Sequence, residues 1–326
     1  MRAGRMVEVG RFECEAAPIP EIDDGQVLVR SEMASICGSD LHVVCMGAGV
    51  GWDLPAPTGY PGHEGIGEVV ESRADGLPVG TQVLCFPHVP VGECFAEYQR
   101  ISSFYCLPLP ESDLPRSHLL MAQQLGTVIF AMRRHPRDVA GETVAVLGQG
   151  SAGLFFTHLL KRAGAARVIV SDMSPTRLAV SAKYGADVVV NAATDDMRTA
   201  VRDLTGGVGA DYVIEAVGRD DTFVLTTALA RPDGELLWFG LPSTDAPIAI
   251  NFASFFRKRL RAASTYGAQD EPDATSFRAA LEMIRRGDID VGPLLSHVLP
   301  IESVGDAFHL AHDPVAAGAV KVSVRF

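Results

Sequence analysis

The sequence predicts an α/β protein: a doubly wound parallel sheet with a separate β-rich region. Three observations carry this prediction. Short apolar runs without alternation recur from residue 143 to residue 239, with helical stretches between them. That is the pattern of parallel strands covered on both faces. The first ~120 residues instead read as short strands, and prolines at 18, 20, 55, 57, 61, 78, 87 and 90 argue against long helices there. Finally, a glycine-rich turn, Gly148-Gln149-Gly150-Ser151-Ala152-Gly153, follows the first apolar run and opens a helix.

Taken in order, residues 27–30, 67–71 and 81–86 read as strands. A helix is expected over 117–134, where Leu120, Met121, Leu125, Val128, Ile129 and Met132 form an apolar stripe. Strands follow at 143–147, 168–171, 188–190, 212–215 and 236–239, with helices at 152–163 and 177–184 among them. The tail carries helices near 276–286 and 303–311 and closes with a strand over 319–324. A length of 326 residues fits two domains.

The formal net charge of −12, with no local Lys/Arg cluster, argues against a nucleic-acid partner. No apolar run approaches ~18 residues, and Met1-Arg2-Ala3-Gly4-Arg5 does not lead into an apolar segment, so a cytoplasmic protein without a membrane partner is expected. The six cysteines, at 14, 37, 45, 85, 94 and 106, would then be thiols or metal ligands. All six fall in the first third of the chain.

Gly148, Gly150 and Gly153 form G-x-G-x-x-G, and Asp172 ends the next strand 19 residues on. In this context the motif reads as a dinucleotide fingerprint. Gly148 permits the turn, Gly150 lets backbone approach a pyrophosphate, and Gly153 lets helix and strand pack closely. Asp172 suits the two ribose hydroxyls of NAD, while Arg177 keeps NADP open. A glycine-rich turn in a cofactor-free fold would not need that carboxylate.

A second constellation is Cys37-Gly38-Ser39-Asp40-Leu41-His42 followed by Gly62-His63-Glu64-Gly65. Cys37, His63 and Glu64 offer a thiolate, an imidazole and a carboxylate, which suits a catalytic zinc with one open position. Spacing alone also allows a core thiol and a turn histidine.

These two segments resemble the zinc-dependent alcohol and polyol dehydrogenases of the medium-chain dehydrogenase/reductase superfamily. Phe95-Ala96-Glu97-Tyr98, the glycine fingerprint, the run from Asp211 to Gly218 and Lys321-Val322 resemble the same family, so the likeness spans essentially the whole chain. It implies a GroES-like catalytic domain from residues 1–122 and 270–326, enclosing a Rossmann domain over 123–269. It implies one catalytic zinc on Cys37, His63 and Glu64, with Ser39 beside the substrate oxygen and His42 ending a proton relay. Asp40 would orient a ligand, Thr127 and Ala152 would touch the nicotinamide, and Lys321 would approach the pyrophosphate. The implied reaction moves a hydride between a secondary alcohol (a polyol, cyclitol or sugar derivative) and NAD, or reduces the ketone. Zinc-independent reductases of activated double bonds typically lack the Cys/His/Glu set, and a non-catalytic nucleotide-binding protein is the remaining alternative.

Two departures from the family pattern stand out. Gln123 aligns where relatives place a Glu or a Cys, and a neutral amide is a poor zinc ligand. The structural zinc lobe is reduced to the stretch from Cys85 to Cys94, whose Cys85, His88 and Cys94 lack a fourth ligand. Trp52, Phe86, Thr127, Phe239, Leu241 and Tyr266 are expected around a substrate pocket, with Ser39, His42, Gln123 and Gln124 as its polar points. The slightly positive mean hydropathy, +0.17, and the resemblance together imply a homodimer or homotetramer joined near residues 236–241 and the following strand.

Overall fold

The computed structural model describes residues 1–48, 53–242 and 246–326. The chain forms two compact units, Met1–Thr127 with Gly267–Phe326, and Val128–Tyr266. Trp52 lies outside the described residues.

In the first unit the long strand Gln26–Ser35 is the organising element. It pairs antiparallel with Gly65–Ser72 on one side and with Lys321–Arg325 on the other, and Tyr98–Ser102 also pairs with it. Gln82–Cys85 and Cys106–Pro108 extend the sheet beyond Gly65–Ser72, and Leu295–Pro300 extends it beyond Lys321–Arg325. The C-terminal strand thus lies next to Ser35: Ser323 is opposite Ser35, and Ile36 N–H donates to the Val322 carbonyl at 2.9 Å. Arg2–Glu8 and Arg11–Ala16 form a hairpin, against which the helix Val304–His312 packs. Phe308 supplies the contact, with its ring 4.6 Å from Phe12 and 5.3 Å from Phe95, all three buried. Clustered aromatic rings of this kind bury large apolar areas and set a core's geometry.

The helix expected over 117–134 is two helices, Arg116–Leu120 and Ala122–Arg134. The turn tightens at Met121, whose N–H bonds to the His118 carbonyl three residues back.

The second unit holds six parallel strands. In spatial order they are Val188–Asn191, Arg167–Asp172, Thr143–Leu147, Ala210–Glu215, Ala230–Trp238 and Arg261–Ser264. This 3-2-1-4-5-6 order is that of a dinucleotide-binding sheet, and its direction reverses between Thr143–Leu147 and Ala210–Glu215. Val144, Ala145, Val146, Val168, Ile169, Val170, Val213 and Ile214 are fully buried, which explains the unalternating apolar runs. Among the described residues no helix is long and apolar enough to cross a membrane.

Candidate active site

Cys37 caps the helix Gly38–Met46, an element that the proline-rich reading of this region did not foresee. The Asp40 carboxylate accepts the Cys37 N–H through Oδ2 at 2.8 Å, so the same side chain starts the helix and fixes the cysteine backbone. His63 and Glu64 stand directly before the strand Gly65–Ser72. The Ser35 N–H donates to the Glu64 carbonyl at 3.0 Å, tying the two ends of the sheet's central pair together.

These elements converge three ligand types. One donor atom each from Cys37, His63 and Glu64 lies within 4.8 Å of the others, and this is the sole such cluster among the described residues. His63 Nδ1 is 3.2 Å from the Pro61 carbonyl and 2.9 Å from Asp40 Oδ1, which leaves Nε2 toward Ser39, 3.3 Å away. Burial opposes a charged imidazole, but the Asp40 carboxylate outweighs it and holds the His63 pKa well above the ordinary histidine value. Burial likewise pushes the Asp40 carboxyl up.

Glu64 is buried, and burial alone would raise its pKa. Lys321, His63 and Ser35 reverse that and pull it below the usual carboxylate value. Its Oε2 takes Lys321 Nζ at 2.6 Å and the Ser35 hydroxyl, while Oε1 is buried without a protein partner. An orphaned carboxylate oxygen beside a thiol and an imidazole is what a divalent cation would complete. The donor set Cys/His/Glu suits zinc.

His42 sits on the same helix as Ser39, with a buried Nδ1 lacking a partner. Burial lowers its pKa. Thr127 donates its hydroxyl to the Gln123 carbonyl at 3.1 Å.

Several expectations need correction. Lys321, expected only near a pyrophosphate, is 3% exposed, with its ammonium held against Glu64 within the first unit. The strand pairing of residues 321–325 with 33–35 puts it there. Gln124, one residue later than expected, is the amide at the cluster; its Oε1 accepts the Cys37 thiol at 3.8 Å and Lys321 Nζ at 3.5 Å. Phe86, expected on a pocket wall, is buried with its ring 4.4 Å from Phe277. His88 pairs with Asp270 at 2.9 Å and Cys94 with Gln99 at 3.1 Å, while Cys85 and Cys106 are buried free thiols. Ser35 was invisible to motif reading, since nothing in the sequence links it to residue 64.

In the second unit, Gly148 takes φ +88°, and a Cβ there would meet the Ala216 carbonyl oxygen at 2.9 Å. A Cβ on Gly153 would lie 1.9 Å from the Gly148 carbonyl oxygen. Gly150 is different: the nearest atom to its Cβ position is an Arg177 nitrogen at 3.9 Å. It caps the helix Ser151–Arg162, which includes Ala152, and makes no side-chain cap hydrogen bond. A glycine at a helix N-terminus, with an Arg177 nitrogen nearby, suits an anionic group. Asp172 accepts the Gln149 N–H at 2.7 Å and the Ser174 N–H at 2.8 Å, with Arg177 Nη1 3.9 Å away. Burial lowers the Arg177 pKa, and the Asp172 carboxylate opposes that.

A soft, three-donor metal cradle and a dinucleotide-type sheet define the class: a metal-assisted, nucleotide-dependent oxidoreductase. Comparison with known families agrees. Residues 23–111 match the alcohol dehydrogenase GroES-like domain, and residues 152–286 match the zinc-binding dehydrogenase domain. The chain belongs to the medium-chain dehydrogenase/reductase superfamily, among its zinc-dependent dehydrogenases. It is 28% identical over 319 residues to the L-threonine 3-dehydrogenase of Bacillus subtilis, covering 90% of each chain. It is 28% identical over 351 residues to the erythritol/L-threitol dehydrogenase of Mycolicibacterium smegmatis, covering 96% of this chain and 94% of that one. The solved galactitol-1-phosphate dehydrogenase of Escherichia coli shares the fold with a TM-score of 0.84 at 20% identity, over all of both chains.

Proposed function

We propose that the protein exchanges a hydride between a hydroxyl-rich secondary alcohol and NAD, with one catalytic zinc held by Cys37, His63 and Glu64. The carrying observation is the three-donor cluster with its unpartnered Glu64 oxygen. When bound, zinc supplies Lewis-acid polarisation of the substrate oxygen. Cys37 and Glu64 contribute two negative charges to hold the ion. His63 contributes Nε2, its other nitrogen being engaged by Asp40 and Pro61. Ser39 Oγ, beside His63 Nε2, is placed to hydrogen-bond the reacting hydroxyl, and His42, neutral at pH 7, takes up its proton.

The glycine cradle at residues 148–153 supports a dinucleotide, and the Asp172 carboxylate supports NAD, since its charge disfavours a 2′-phosphate. The relatives named for L-threonine and for erythritol and L-threitol support a small polar substrate. A homo-oligomer joined at the open edge strand Arg261–Ser264 fits the nearby Phe252 and Phe256, 70% and 71% exposed.

The test is metal analysis of the purified protein with NADH formation across a panel of polyols, cyclitols and sugar derivatives. Zinc near one equivalent and turnover on a secondary alcohol are expected. Metal-stripped protein that keeps full turnover removes zinc from the reaction.

A further inference from the structure

The cluster contains a buried cation that metal binding by itself does not explain. Lys321 and Glu64 are both buried, and the ammonium lies 2.6 Å from Glu64 Oε2, which also receives the Ser35 hydroxyl. Two donors therefore occupy one carboxylate oxygen, and only Oε1 is left without a partner. The second named acceptor of Lys321 is Gln124 Oε1 at 3.5 Å, and the same oxygen takes the Cys37 thiol at 3.8 Å. A continuous path, Glu64–Lys321–Gln124–Cys37, thus joins two of the three ligand residues through side chains from four separate segments.

We propose that Lys321 is a positioning residue that restricts Glu64 to a single-oxygen metal ligand, and that Gln124 keeps Lys321 on that duty. The inference rests on the metal reading above. A carboxylate free at both oxygens can take a cation with either one or both. With Oε2 committed to an ammonium and a hydroxyl, Glu64 fills one coordination position, and a three-residue site keeps its fourth position open for substrate. The identity of residue 124 matters for the same reason. A carboxylate there would compete with Glu64 for the one buried ammonium, whereas an amide oxygen accepts a hydrogen bond without matching Glu64's charge. The backbone gives Lys321 little freedom to leave, because Val322 and Ser323 are paired with Ile36 and Ser35.

The experiment uses cobalt(II) in place of zinc, because its visible ligand-field absorption is strong in four-coordinate sites and weak in five- or six-coordinate ones. Wild type should bind about one cobalt per chain with the strong absorption. K321M should still bind cobalt but lose about half or more of that absorption as Glu64 brings in its second oxygen. K321R should restore it. Q124L, which removes the amide acceptor of Lys321 and adds no group able to bind the metal, should shift the spectrum in the same direction as K321M and keeps the test intact if K321M does not fold. Cobalt-loaded K321M and Q124L with wild-type spectra overturn the proposal while the metal reading stands. Wild type that takes up no cobalt or zinc overturns the metal reading, and this inference with it.

Discussion

Asp40 Oδ1 lies 2.9 Å from His63 Nδ1, and Asp40 Oδ2 lies 2.8 Å from the Cys37 backbone nitrogen. One buried carboxylate therefore steadies two of the three ligand residues. It holds the imidazole with Nε2 toward the site and the cysteine at the helix start. D40N retains the shape but loses the charge that favours His63 as an electron donor. Zinc affinity should fall about 10- to 100-fold, read by competition with a chromophoric chelator. Unchanged affinity would show that Asp40 only shapes the fold.

The glycine loop separates packing from binding. At Gly153 a methyl group meets a carbonyl oxygen at 1.9 Å, so backbone must move; G153A should cost about 1–3 kcal/mol in denaturant unfolding. Gly150 has room for a methyl group and an ordinary φ of −64°. G150A should therefore alter stability by no more than about 0.5 kcal/mol. Its methyl would instead fill the space reserved for the pyrophosphate, and NADH affinity should drop about tenfold or more by fluorescence titration. Equal effects of both substitutions on unfolding would refute this division of labour.

Asp172 has two tasks in the same loop. It accepts two backbone N–H groups and presents its charge beside Arg177. D172N keeps an acceptor oxygen but removes the charge that disfavours a 2′-phosphate. The ratio of kcat/KM for NAD to that for NADP should fall roughly 10- to 100-fold. If the ratio stays constant, cofactor choice lies elsewhere in the loop.

The sequence revealed local features and hid long-range ones. The strand at residues 143–147 was legible to the residue, because a parallel strand buried on both faces is one apolar run between polar turns. Cys37, His63 and Glu64 were legible because each sits in a short, chemically distinctive motif. The edge strand Arg261–Ser264 was not, since its exposed side chains break the apolar pattern. The contact of Lys321 with Glu64 was hidden for a topological reason: the two lie 257 positions apart, and only the pairing of the last strand with Gln26–Ser35 brings them together. Gln124 was missed by one position, a shift that changes which face of a helix a side chain occupies. The helix after Cys37 was missed because its polar Ser39, Asp40 and His42 face a site rather than forming a solvent-facing stripe.

His42 gives the final prediction, and its sign follows from burial. Its Nδ1 is buried without a partner, and burial lowers the folded-state pKa below the ordinary value of about 6.5. Below that pH the unfolded chain takes up a proton that the folded chain resists. The stability that neutral His42 supports is complete above about pH 6.5 and is lost as pH falls through the lowered folded-state pKa. H42Q has no such proton to take up, so the stability difference between it and wild type should shift in favour of the variant as pH drops from 7 toward 5. Catalysis should respond in the opposite direction. A neutral imidazole at pH 7 can accept the alcohol proton and a glutamine cannot, so kcat for oxidation should fall about 100-fold in H42Q. The acidic limb of the wild-type pH profile should lie below pH 6.5 and disappear in the variant. Parallel urea unfolding and kcat measurements from pH 5 to 8 check both signs, and a wild-type limb retained in H42Q would assign the proton to another group.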